Sequence, residues 1–230
     1  MSEPATPIAE TDDLDALIRR VDPDRWLSSR FVADPDARAD VVALYAFDHE
    51  LARAPRVASN PLLGEIRLTW WREVLDEVFD GRAVRMHPTA QALGRVVAGR
   101  GLARAPLEAL IDARYRELDP TPMGEAELLD WARDTGGLAA QLAAQVLDPT
   151  TDAKMALAGG SAWALGKRLI AQPDLRPTFL KVVHAARSAS RNLSITAFPA
   201  VAHAALAGRP SANDFARRLR LTIAVARGRI

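Results

Sequence analysis

The sequence predicts an all-α fold, and three observations carry that prediction. Apolar positions recur at helical spacing, as in Leu107, Leu110, Ile111 and Tyr115. A side-chain oxygen followed by proline marks helix starts at Asp22-Pro23, Asp34-Pro35, Asn60-Pro61 and Asp148-Pro149. The oxygen satisfies an orphan N–H, and proline at the first helical position forfeits no hydrogen bond. No alternating strand pattern persists anywhere. At 230 residues and 49% hydrophobic, the chain suits one helical domain over residues 12–230. Abundant alanine with only 6% aromatics favours close helix packing.

Taken in order, the helices are expected over about 12–20, 23–32, 35–54, 61–80, 88–99, 106–118, 124–147, 150–171, 175–191, 197–207 and 211–228. His87-Pro88 and Ala105-Pro106 are weaker versions of the same start signal. Short connections such as Gly81–His87 predict antiparallel neighbours. Before these comes MSEPATPIAETDD, acidic and without an apolar stretch, which reads as a disordered lead-in over 1–11 and not a secretory signal. No apolar run approaches the roughly 18 residues of a spanning helix. The expectation is a soluble, cytoplasmic protein, at most peripheral on the inner face of a membrane.

Composition narrows the function classes. The formal net charge of +1 gives no reason to expect nucleic acid. The chain has no cysteine, which excludes disulfides, thiolate metal sites and cysteine nucleophiles. His49, His87, His184 and His203 are too scattered for a metal triad by spacing, and Ser188, Ser190 and Ser194 form no nucleophile elbow.

Two segments are rich in small residues, Gly136–Gln145 and Ala158–Gly166. Mid-helix glycine costs about 1 kcal/mol relative to alanine, so it calls for a packing or cavity reason. These segments read either as two helices in close contact or as room for an apolar ligand, and the two are compatible. The last helix sets Arg217, Arg218, Arg220, Arg227 and Arg229 around Phe215, Leu219, Leu221, Ile223 and Val225. It reads as a core-packed terminal helix with a solvated basic face, or as a peripheral contact with an anionic membrane.

A resemblance then emerges from an ordered series of matches. Leu44-Tyr45-Ala46-Phe47 is followed by Leu62–Leu68, Trp70-Trp71-Arg72-Glu73, Pro106–Arg114 and Leu128–Ala132 leading to Gly136-Gly137. This series resembles the squalene/phytoene synthase family over roughly residues 22 to 205. The resemblance implies an isoprenoid-synthase-type helical bundle around a central cavity. In active members two aspartate-rich motifs hold magnesium, which holds prenyl diphosphates for head-to-head condensation. Carboxylates and hard cations would neutralise the departing diphosphate.

The departures from that pattern are severe. Where paired aspartates are expected, the chain reads Ala52 and Arg53, with Arg56 close behind. After Ser161–Gly166 it continues Lys167-Arg168-Leu169-Ile170-Ala171-Gln172-Pro173-Asp174, with one acid where several are needed. Asp48 and Glu50, two apart, point to different helix faces. Within the family the pattern resembles the degenerate branch that includes the mitochondrial complex I assembly factor. The resemblance thus implies a non-catalytic protein without cofactor that binds an isoprenoid or lipid, or a subunit of a membrane complex. Its pocket would include Tyr45, Trp71, Gly137, Gln141 and Trp163.

The alternative is a Mg²⁺-dependent prenyltransferase acting on farnesyl or geranylgeranyl diphosphate with displaced carboxylates. Asp76 with Asp80, and Asp130 with Asp134, have the spacing that shares one helical face. The competing reading is a solvated face for the first pair and a structural role for the second, where Arg133 interrupts the spacing and Asp134 can pair with nearby bases.

Overall fold

The structure, a computed structural model, describes residues 8–58, 60–209 and 213–230. It is built of helices joined by turns and short irregular connections, with no strand among the described residues. The order is α1 (Ile8–Val21), α2 (Pro23–Ser29), α3 (Pro35–Arg56), α4 (Pro61–Phe79), α5 (Pro88–Arg100), α6 (Arg104–Tyr115), α7 (Glu125–Ala132), α8 (Leu138–Leu147), α9 (Leu157–Leu169), α10 (Arg176–Ser190) and α11 (Asp214–Arg227). The expected lead-in lies outside the described residues over 1–7, and α1 begins at Ile8.

Three of the proline starts work as their chemistry dictates. Asp22 accepts from the Arg25 N–H at 3.3 Å, Asp34 from Asp36 N–H at 3.0 Å, and Asn60 from Leu63 N–H at 3.0 Å. The fourth does not. Asp148 ends α8, and its carboxylate accepts from the Thr150 N–H at 2.9 Å and the Ser194 hydroxyl at 2.6 Å. Those partners hold Asp148 in a turn, and helix resumes only after the 3₁₀ segment Ala153–Ala156.

Other expected helices are also corrected. Residues 197–207 form two short 3₁₀ turns, Phe198–Ala200 and Ala202–Leu206. Pro199 lacks an N–H, and the N–H groups of Ala200, Val201 and Ala204 bond three residues back. The helix from Pro23 stops at Ser29, after which Arg30, Phe31 and Val32 also bond three residues back. Residues 211 and 212 of the last expected helix lie outside the described residues.

Helix α3 is the axis of the fold, packed against α1, α4, α5, α6 and α8. Every residue from Val41 to Asp48 is buried. Between α7 and α8 the helix widens into a π turn, Arg133–Gly137, which packs on α9. Glycine is required there: a Cβ on Gly160 would lie 1.9 Å from the Gly136 carbonyl oxygen. The small-residue segments are therefore a close helix contact, and Gly136 also borders the cavity described next.

Candidate functional site

A cavity of about 360 Å³ opens among α2, α3, α6, the α7–π turn and α9. Its floor is a buried charge cluster. Asp48, on the buried face of α3, accepts from Arg25 Nη1 at 2.5 Å and from Arg114 Nη2 at 2.6 Å. Arg114 also donates to Glu117 at 2.6 Å, and Glu117 accepts from the Trp131 indole N–H at 2.9 Å. Burial would raise the Asp48 pKa, but Arg114 and Arg25 outweigh it and hold the carboxyl well below its usual range. Asp22 sits 3.9 Å from Arg25 and 3.6 Å from Lys167, and burial raises its pKa against those charges.

Behind the floor lies an aromatic cluster. The Arg25 guanidinium stacks 3.9 Å from the Trp163 ring and 4.9 Å from Tyr45. His203 packs edge-on to Trp163 at 5.4 Å and to Tyr45 at 6.1 Å. His203 is fully buried, and burial, then Arg25 and Lys167, keep its pKa well below the usual value. Arg25 Nη2, Tyr45 Oη, Trp163 Nε1 and both His203 nitrogens have no hydrogen-bond partner among the described residues.

The rim is cationic. Arg56, Lys167 and Arg168 line it together with His49. Arg168 lies 4.0 Å from the Trp131 ring centre, and Lys167 4.1 Å from that of Trp163. No carboxylate among the described residues lies within ion-pair distance of Arg56 or Arg168. Burial lowers the Arg168 pKa first; Glu117 pulls it back up, and the like charges of Arg114, Arg56 and Arg116 push it down again.

The residues expected from sequence are dispersed. Trp163 lines this cavity, and Tyr45 is buried behind Arg25. Trp71 instead lines a separate open groove of about 300 Å³, with Trp70, His87, Glu50, Arg53 and Ile66. A Cβ on Gly137 would meet the Ser161 hydroxyl at the helix contact, and neither Gly137 nor Gln141 lines either pocket. Asp22, Arg25, Arg114 and His203 were not anticipated. The available signal was a charge on a core face: Arg114 shares its helical face with Leu107, Leu110 and Ile111.

Magnesium takes oxygen ligands, commonly one or two carboxylates with waters. The carboxylates lining this cavity are Asp48, clamped by two arginines, and Asp22, set beside Arg25 and Lys167. These residues do not fit a magnesium–diphosphate site. The displaced acids are no better placed: Asp76 pairs with Arg104, Asp80 with Arg82, and both Asp130 and Asp134 with Arg133. Glu50 borders the groove and Asp174 a third pocket, so neither meets Asp48. Among the described residues no three histidine, aspartate or glutamate side chains gather as a metal set.

The helical architecture is that of the isoprenoid synthases. It matches a crystal structure of a dehydrosqualene synthase in complex with ligand at a TM-score of 0.72, covering 96% of each chain at 13% identity. A squalene/phytoene synthase family model matches residues 18–171, and the chain belongs to that family. Complex I assembly factor 6 from Bos taurus is 26% identical over 132 residues, 57% of this chain and 39% of the relative. The Homo sapiens protein matches to the same extent. The Dictyostelium discoideum homolog is 20% identical over 117 residues, 51% of this chain and 33% of the relative. The matched stretch thus spans well under half the length of these relatives.

Proposed function

We propose that this chain is a non-catalytic squalene/phytoene synthase-like protein. It would hold an isoprenoid or other lipid, or a partner subunit, during assembly of a respiratory membrane complex. The observation that carries the reading is the state of Asp48, the acid on the cavity floor, whose two oxygens are taken by Arg25 and Arg114. Similarity to the complex I assembly factors supports the assembly role. The test is turnover: purified protein with Mg²⁺ and farnesyl or geranylgeranyl diphosphate is expected to release no diphosphate and form no condensed product. Sustained Mg²⁺-dependent product formation would overturn the reading in favour of the prenyltransferase.

Peripheral membrane contact, with a location on the inner face of a membrane, is part of the same proposal. The inner face of α11 packs through Leu221 and Ala224, and Arg217 pairs with Asp24 of α2. Its outer face exposes Phe215, Leu219 and Ile223 as one stripe, flanked by the exposed Arg218, Arg220, Arg227 and Arg229. No helix of the described residues is long and apolar enough to cross a membrane. Co-sedimentation with phosphatidylserine vesicles, lost in Phe215→Ser/Leu219→Ser, is the expected result. Sedimentation equal to that of the parent protein would remove the membrane contact.

A further inference from the structure

The cavity holds more positive charge than its own acids can balance. Five cations line it, Arg25, Arg56, Arg114, Lys167 and Arg168, against Asp22 and Asp48, with Glu117 adjoining through Arg114. Asp48 and Glu117 are fully engaged by the buried guanidinium groups and the Trp131 indole. Arg56 and Arg168 on the rim are left without an acidic partner among the described residues. At the floor, Arg25 is 1% exposed yet leaves Nη2 without a hydrogen bond among the described residues.

Charges of one sign are not gathered around a concave site without cost, and Arg168 and Lys167 both line this cavity, each packed over a tryptophan ring, Trp131 and Trp163. A multiply charged anion removes that repulsion. Guanidinium groups present planar forks that match phosphate oxygens, and lysine adds a point charge. A carboxylate offers one negative charge and two oxygens; a phosphate or diphosphate offers more of both, which fits three rim cations better.

We propose that this cavity binds a phosphate or diphosphate group directly on Arg56, Lys167 and Arg168, above the Arg25–Asp48–Arg114 floor, without a divalent metal. The group is either a free anion or the head of a lipid. This deepens the reading above, since it rests on a cavity that lacks the metal–diphosphate chemistry.

Calorimetric titration of the full chain in EDTA tests it, with inorganic diphosphate in one arm and farnesyl diphosphate in the other. Saturable 1:1 binding without metal is expected, weakened at least tenfold by Arg168→Gln and by Arg56→Gln. Arg218→Gln, the same charge change on the distant α11, is expected to leave it unaltered. All three side chains are partly or largely solvated, and a thermal melt checks that each variant folds. Equal affinity in both arms identifies a free anion, and tighter farnesyl diphosphate binding identifies a lipid head; either supports the proposal. It is overturned by absence of binding in EDTA, by binding that appears only with Mg²⁺, or by equal losses in all three variants. Because turnover is scored separately with Mg²⁺, failure here leaves the non-catalytic reading standing.

Discussion

The last turns of α3 present two unlike faces. Asp48, His49, Ala52 and Arg56 face the basic cavity, while Glu50, Arg53, Ala54 and Val57 face the open groove shared with Ile66, Trp70 and Trp71. On the cavity side the acid is 4% exposed and held by two buried arginines. On the groove side Glu50 makes only a 3.5 Å pair with the solvated Arg53 among the described residues. The same side-chain chemistry is therefore structural on one face and nearly dispensable on the other, because desolvation decides what a charge is worth.

The sharpest way to break that contrast is Asp48→Asn. It leaves Arg25 and Arg114 buried without their shared counter-ion, and a loss of about 3–5 kcal/mol in chemical denaturation is expected. Glu50→Gln, its counterpart in the groove, is expected to change stability by less than about 0.5 kcal/mol. Losses of similar size would show that the two faces do not differ.

A smaller effect is expected at the helix contact beside the cavity. Gly160→Ala drives a Cβ against the Gly136 carbonyl oxygen, so backbone must move. Overpacking of this kind costs roughly 1–3 kcal/mol. A melting temperature unchanged from the parent would mean that the π turn yields freely.

The smallest effect concerns pH. His203 has a folded pKa well below 6.5, so between the two values the unfolded chain binds more protons. Stability from this group is full above about pH 6.5 and falls as the pH is lowered through that value toward the folded pKa. Half-buried His49 is shifted the same way, mainly by burial. His203→Phe is expected to flatten the fall in stability between neutral and mildly acidic pH. An unaltered slope would place its origin elsewhere.

Much of the fold was legible in the sequence because its signals are local. Caps at Asp22, Asp34 and Asn60 each need only the next two or three residues. Asp148-Pro149 misled because the Ser194 hydroxyl, 46 residues away, helps hold that carboxylate in a turn. The site was less legible still. Replacement of the expected acids by Ala52, Arg53 and Arg56 could be read, as could the opposite faces of Asp48 and Glu50. That Arg56 would reach the cavity and Arg53 the groove depended on how α3 is turned against its neighbours.

The sequence by itself determined an all-helical chain of the squalene/phytoene synthase family in which cations occupy positions where metal-binding acids were expected. Those are matters of composition, periodicity and residue order. Only the tertiary structure decided that Arg25, Asp48 and Arg114 form one buried cluster, with Arg56, Lys167 and Arg168 above it. Asp48 lies 23 residues from Arg25 and 66 from Arg114, so packing of α2 and α6 on α3 must bring them together. A charge becomes costly, and so selective about its partner, only once that packing has removed the water around it.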